Sequence, residues 1–342
     1  MATGWSILTT RTASSFERNE GGTMTDSLVN TAWLAEHGDD PNVRIIEINR
    51  EVLDPSQSDH IPGAIGWHWK TMLWDPRQRQ FPSPDVFAER LGQAGITNET
   101  TVVLCGTPVQ YGTYGWWVFK YLGHRDVRLL DGGMTRWVQD GRPLSREVPS
   151  VRPLTYQPTA VNEQMRAGRD DVLHALTTPE TTIIDHRSFE EYSGARVAPP
   201  GMADVGAVRY GRMPGALHLP FTSLLNEDDT FKSPEELRAL VAPILRDEDA
   251  PAISYCRLSH RASLACFVMT EILATDGARV TLFHDAPSWD GKPTMAVGKF
   301  TCESAEAGRA VLAQAETAAR AGGAARLLGP MDGNTWHSYR LV

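Results

Sequence analysis

Short runs of β-branched and other apolar residues recur along the chain, each bounded by polar or turn-forming residues and each followed by a stretch with helical periodicity. Ile45-Ile46-Glu47-Ile48, Val102-Val103-Leu104-Cys105, Ile183-Ile184-Asp185 and Ile253-Ser254-Tyr255 read as strands. Residues 83–91 and 233–245 read as helices, and both open with Ser-Pro, which supplies an N-cap hydroxyl and a proline suited to the first turn. Residues 114–122 and 264–273 are largely apolar and read as helices that pack across a sheet. Apolar strands alternating with helices predict an α/β fold, a mainly parallel sheet with helices on both faces.

The same landmarks occur twice in the same order. An apolar run ending in an acid comes first, with Glu47 and Asp185 138 residues apart. Ile61-Pro62-Gly63-Ala64 and Met213-Pro214-Gly215-Ala216 follow, 152 residues apart, and then the runs ending at Gly106 and Cys256, 150 apart. Such self-similarity marks a duplicated unit of more than a hundred residues. The growth of the offset places an insertion of about fourteen residues in the second copy, in the Gly/Pro-rich stretch 193–212, where a surface loop tolerates it. Residues 148–158 carry Pro149, Pro153 and Pro158 and read as an extended connector between the copies. The expected domains are a disordered extension at 1–24, a first domain at 25–147, a linker at 148–163, a second domain at 164–293 and an extension at 294–342.

Composition narrows the possible functions. With 342 residues, 41% hydrophobic and 22% charged, the chain has room for two domain cores. No stretch approaches the ~18 uninterrupted apolar residues of a membrane span. A net charge of −9 disfavours nucleic acid and acidic lipid as general partners. Four cysteines without regular spacing form no disulfide framework, so a reducing cytoplasm is the expected location. The first 23 residues, rich in Ser, Thr, Gly and Asn, lack the apolar core of a secretory signal and are expected to be disordered.

The chemistry concentrates at Ser254-Tyr255-Cys256-Arg257-Leu258-Ser259-His260-Arg261-Ala262-Ser263, where a strand passes into a helix through a tight loop. A cysteine in such a loop faces backbone N–H groups and a helix N-terminus, both of which favour thiolate over thiol. Arg257 and Arg261 flank it and suit an anionic partner, which makes Cys256 a candidate nucleophile. Cys105 falls one residue earlier in the first copy, beside Gly106, and reads as core packing, as does Cys266 in its apolar helix.

These motifs resemble the two-domain rhodanese-like sulfurtransferases over residues 25–293. The matching pieces are His60-Ile61-Pro62-Gly63-Ala64, the run from Gly123 to Gly133 with Trp137, the run Asp185-His186-Arg187-Ser188-Phe189-Glu190-Glu191-Tyr192, the run from Asn226 to Ser233, and the Cys256 loop. The resemblance implies two tandem rhodanese-like domains of which only the second is reactive, in keeping with Gly106 in the first. It implies that Cys256 takes the outer sulfur of thiosulfate as a persulfide and passes it to a thiophilic acceptor, cyanide or a thiol. By the same resemblance Arg187, Arg257, Leu258, Ser259, His260 and Arg261 form the donor-binding site, no metal or organic cofactor is needed, and neither nucleic acid nor membrane is a partner. A second role open to such a domain pair is that of a sulfur carrier or interaction module.

The loop departs from related Cys-Arg-Ile-Gly-Glu-Arg loops, with Ser259 in place of glycine and His260 in place of glutamate. Ser259 is expected to strain the turn, and His260 to vary the loop's charge with pH. Arg212 replaces the usual histidine before Met213, and the terminal motif reads Asp285-Ala286-Pro287-Ser288-Trp289. Cysteine phosphatases close a similar loop with an arginine, but theirs is one residue longer than the four-residue gap between Cys256 and Arg261. Cys256 and His260 have no second ligand pair of comparable spacing, which argues against zinc. Beyond 293, residues 296–301 read as a strand, 303–321 as an alanine-rich helix ended by Gly322-Gly323, and 324–328 as a further strand. The run from Leu328 to Arg340 resembles the start of a GNAT-type acyltransferase domain, yet the Gly-rich turn of that family is absent and no acyl transfer is expected.

Overall fold

The computed structural model describes residues 5–10, 27–51, 54, 57–75, 77, 80–245, 251–273, 278–283, 293–302, 309, 312–313, 315–317, 319–320 and 323–328. In chain order its strands are β1 (Trp5–Thr10), β2 (Leu28–Val29), β3 (Val43–Asn49), β4 (Ile65–His68), β5 (Thr101–Thr107), β6 (Val127–Leu130), β7 (Thr182–Asp185), β8 (Leu217–His218), β9 (Ala252–Tyr255), β10 (Ala278–Phe283), β11 (Thr294–Cys302) and β12 (Arg326–Leu328). The helices are α1 (Thr31–His37), α2 (Trp69–Met72), α3 (Pro84–Gln93), α4 (Val109–Tyr121), α5 (Gly133–Gln139), α6 (Arg169–Ala175), α7 (Phe189–Ser193), α8 (Pro234–Val241) and α9 (His260–Phe267). The chain separates into two compact units, Asn19–Glu271 and the combination of Met1–Arg18 with Ile272–Val342.

The larger unit contains both expected parallel sheets. The first has strand order β2-β6-β5-β3-β4 and the second β8-β7-β9. From Ile45 to Asn49 in β3 and from Val102 to Gly106 in β5 every residue is buried, which explains why these strands read as nearly unbroken apolar runs. The serine caps stand where expected: Ser83 accepts from Val86 N–H at the start of α3, and Ser233 exchanges bonds with Glu236 in a capping box on α8. Helix α4 starts five residues before the predicted 114, and α9 four residues before the predicted 264. Both early starts fall in stretches whose glycines or polar residues hide the helical period.

Pairing register confirms the internal alignment. Glu47 lies opposite Cys105 on β3 and β5, and Asp185 opposite Tyr255 on β7 and β9, so Gly106 and Cys256 are equivalent. The two repeats pack directly on each other. Trp116 of α4 meets Phe267 of α9 edge-on with centroids 5.0 Å apart, and Thr113 and Ser263 hydroxyls share a hydrogen bond of 3.2 Å. Elsewhere the motifs of the two copies meet: Asp131 accepts from Phe231 N–H at 2.9 Å, and Arg136 pairs with Asp228 at 2.6 Å. The proline-bearing connector is laid against the first repeat, with Leu154 N–H donating to Gly92 O and Asn162 N–H to Tyr121 O.

The smaller unit holds a sheet of order β1-β10-β11-β12. Trp5–Thr10 falls in the extension expected to be disordered, yet it forms a strand antiparallel to β10, consistent with its content of β-formers, Trp5, Ile7, Thr9 and Thr10. Strand β10, within the expected second domain at 164–293, pairs antiparallel with its sequence neighbour β11 rather than with β9. The expected strands at 296–301 and 324–328 fall in β11 and β12, and the described positions between 309 and 320 are helical. The terminal motif at 285–289 and the run 329–340 lie outside the described residues.

The packing between repeats gives a stability prediction. Phe267 is fully buried between Trp116 and Phe231, so Phe267→Ala should cost about 3–5 kcal/mol. Urea denaturation followed by tryptophan fluorescence would record this as a lowered midpoint; an unchanged midpoint would show that the repeats do not depend on this contact.

Candidate active site

Parallel strands β7 and β9 end together, and their carboxyl ends deliver Asp185 and Tyr255 side by side to the edge where open α/β sheets carry ligands. Cys256 is the next residue, part-buried and unpaired. The chain then turns through Arg257, Leu258 and Ser259 into α9. Ser259 sits at φ 68° and ψ −9°, the left-handed region, so the strain expected from replacing a glycine is present in the backbone. As N-cap of α9, Ser259 makes no side-chain capping bond, whereas α7 and α8 are closed by serine capping boxes. The first N–H groups of α9 thus remain for whatever occupies the loop.

Arg261 lies in the first turn of α9, next to Cys256. It forms a two-pronged ion pair with Glu191, Nη1 to Oε2 at 2.6 Å and Nη2 to Oε1 at 3.0 Å. Glu191 is fully buried, and Arg261 exposes only 12% of its side chain. Burial alone would lower the arginine's pKa, but Glu191 and the adjacent Cys256 sulfur, a hydrogen-bond partner of the guanidinium, hold it above its ordinary value. Burial would likewise raise Glu191, and Arg261 overrides it to hold that carboxyl below the usual range. Glu191 also closes the capping box with Ser188, so one carboxylate fixes both α7 and the arginine.

The other predicted site residues divide. Arg187 is clamped by Asp185, with Nε 2.9 Å from Oδ1 and Nη2 2.7 Å from Oδ2, and also donates to Gly211 O at 2.8 Å. Tyr255 donates its hydroxyl to the same Asp185 at 2.6 Å. Burial pushes Asp185 up, but these bonds hold its carboxyl below its ordinary value, while burial and Asp185 push the Tyr255 phenol up to about 12. Arg257 reaches away to the insertion and donates to Val205 O at 2.7 Å. Gly206 permits this approach, because a Cβ there would lie 2.0 Å from Arg257 Nη2. Leu258 is half exposed on the loop.

His260 corrects an expectation. Its ring is 7% exposed and enclosed by Trp69, Tyr111 and Tyr114, and burial, aided by Arg261 and Lys70, pushes its pKa down to about 3. It stays neutral across the physiological range and does not vary the loop's charge. His186 is neutral for a similar reason, fully buried with its pKa pushed down to about 4, donating from Nδ1 to Leu219 O and accepting at Nε2 from the Ser254 hydroxyl.

Glu191 and the aromatic enclosure were not singled out from sequence. The pattern Ser188-x-x-Glu191 announces a cap, not an ion pair seventy residues away. Gly106, the position of the first repeat equivalent to Cys256, leaves no room for a side chain. A Cβ there would lie 2.2 Å from Gly112 N and 2.7 Å from Val109 O, because the first turn of α4 closes over the strand end. Cys105, beside it, is fully buried, and burial and Glu47 raise its pKa well above the ordinary thiol value.

Comparison with known proteins agrees with this duplicated arrangement. The family described as rhodanese-like domain matches twice, over residues 30–140 and 169–284. The sulfur carrier protein TtuD of Thermus thermophilus is 43% identical over 250 residues, 72% of this chain and 87% of that protein. A Mycobacterium tuberculosis protein named "Putative thiosulfate sulfurtransferase" is 40% identical over 250 residues, 72% of this chain and 89% of its own. Among solved structures, SseA of Escherichia coli, titled for 3-mercaptopyruvate sulfotransferases, superposes with a TM-score of 0.61 at 26% identity, covering 73% of this chain and 95% of that one.

Two substitutions test this geometry. Gly106→Cys should lower the melting temperature and yield no second reactive thiol, as read by thiol titration of the Cys256→Ser, Gly106→Cys double variant; a newly reactive thiol would show the first site to be open. For His260, the unfolded chain takes up a proton below pH 6.5 that the folded site refuses down to about pH 3. The folded state is therefore penalised as pH falls through that window, by about 2 kcal/mol at pH 5. His260→Phe lacks the penalty, so its stability relative to the parent should rise by that amount between pH 7.5 and pH 5 in urea denaturation; a constant difference would place the ring in water.

Proposed function

The chain belongs to the rhodanese-like family, and from that premise we propose that it is a sulfurtransferase whose reacting atom is the Cys256 sulfur. The observation that carries this is the position of Cys256 at the end of β9, beside Arg261 and ahead of an uncapped helix, in the second of two repeats.

The Cys256 thiolate attacks the outer sulfur of thiosulfate. A sulfur–sulfur bond forms to the enzyme, the bond to the sulfite sulfur breaks, and sulfite departs with the electron pair. The terminal persulfide sulfur carries the negative charge, and the loop N–H groups and Arg261 stabilise it without a metal or organic cofactor. Cyanide or a thiolate then attacks that outer sulfur, and the electrons of the enzyme's sulfur–sulfur bond return to Cys256. Ser259 sets the turn, Leu258 forms an apolar lip, and Arg257 and Arg187 border the mouth as cations anchored to Val205 O and Asp185. A loop with two arginines suits the thiosulfate dianion better than the singly charged mercaptopyruvate, and relatives bear the thiosulfate name. The relative named a sulfur carrier favours a second reading, in which the persulfide is held for another protein.

Steady-state kinetics distinguish these readings. Thiocyanate formation at varied thiosulfate and cyanide should give parallel double-reciprocal lines, the mark of a double displacement, and Cys256→Ser should give none. Intersecting lines would exclude the persulfide route. A persulfide that forms yet survives cyanide would support the carrier reading instead.

A further inference from the structure

We propose that His260 is a positioning residue, through which the first repeat holds the Cys256 loop in its reactive geometry. The inference rests on reading Cys256 as the reacting sulfur.

The loop runs from the end of β9 to the start of α9 and needs an anchor at each end. The β9 end is fixed by parallel pairing with β7. At the other end His260 is the first residue of α9, directly after the strained Ser259. Its ring stacks on Tyr114 with centroids 4.4 Å apart at 27°, meets Trp69 edge-on at 4.4 Å and leans on Tyr111 at 4.5 Å. All three rings belong to the first repeat, Trp69 on α2 and the two tyrosines on α4. One turn further along α9, Ser263 bonds to Thr113 of α4, so the grip continues down the helix.

The side chains between the anchors do not provide such a hold. Leu258 is half exposed, and Arg257 is tied to the exposed insertion loop. Within the enclosure His260 Nε2 is buried with no hydrogen-bond partner among the described residues, so the ring serves by its shape and flat faces and not by proton transfer. A ring of similar outline should therefore keep the loop in place, and a methyl group should not. By this route the first repeat, whose own strand end is closed at Gly106, takes part in the chemistry of the second.

The experiment measures alkylation of Cys256 by iodoacetamide, located by peptide mass mapping, together with kcat and KM for thiosulfate, in the parent, His260→Ala, His260→Phe and Tyr114→Leu, all below their unfolding temperatures. His260→Ala should slow alkylation and lower kcat at least about tenfold with KM within about twofold, and His260→Phe should restore both to within about threefold of the parent. Tyr114→Leu, which removes one wall and leaves His260 in place, should show the same loss and serves if His260→Ala does not fold. Parent-like alkylation and kcat in both His260→Ala and Tyr114→Leu would overturn the proposal, as would a His260→Phe variant as impaired as His260→Ala. Because alkylation needs no sulfur donor, a parent that alkylates at Cys256 but gains no sulfur from thiosulfate would sink the sulfurtransfer reading while leaving this comparison intact.

Discussion

The ion pair between Arg261 and Glu191 ties the Cys256 loop to the body of the second repeat. A fully buried carboxylate is costly unless its lone pairs are filled, and Glu191 fills them with two guanidinium N–H groups and the Ser188 N–H of its own capping box. Removing either partner would leave the other charge stranded away from water, typically at a cost of about 3–5 kcal/mol. The pair therefore fixes where the guanidinium sits next to Cys256. A second ion pair, Arg187 with Asp185, repeats this device at the neighbouring strand end and draws in the Tyr255 hydroxyl.

The duplication explains both the likeness and the inequality of the two halves. Equivalent acids, Glu47 and Asp185, lie on equivalent strands, but burial raises Glu47, which accepts from Ile61 N–H, while Asp185 is held ionised by Arg187. At the next position the first repeat closes α4 over Gly106, and the second opens the turn before α9 around Cys256. The first repeat is closely packed at this position, and its α4 meets α9 through Trp116, Thr113 and the rings around His260.

Much of this was legible in the sequence because it is local. The strands, the Ser83 and Ser233 caps, the equivalence of Gly106 with Cys256 and the burial of Cys105 all follow from periodicity, cap chemistry and repeat offsets. The rest depends on contacts between residues distant in sequence. Nothing near Arg261 announces Glu191 as its partner, and nothing near His260 announces Trp69, so a histidine beside two arginines read as a titrating group when its surroundings are aromatic. Arg257 is anchored to a backbone carbonyl of the insertion, a contact that carries no sequence signal. Strand β10 falls within the bounds expected for the second domain, 164–293, while short-range antiparallel pairing with β11 places it in another sheet.

The most direct test of the account is intact-protein mass spectrometry after exposure to thiosulfate, with peptide mapping to find the modified residue. The parent should gain one sulfur atom on Cys256 and Cys256→Ser none, with sulfite released in equal amount. A protein that gains no sulfur, or gains it at Cys105, Cys266 or Cys302 and not at Cys256, would contradict the account.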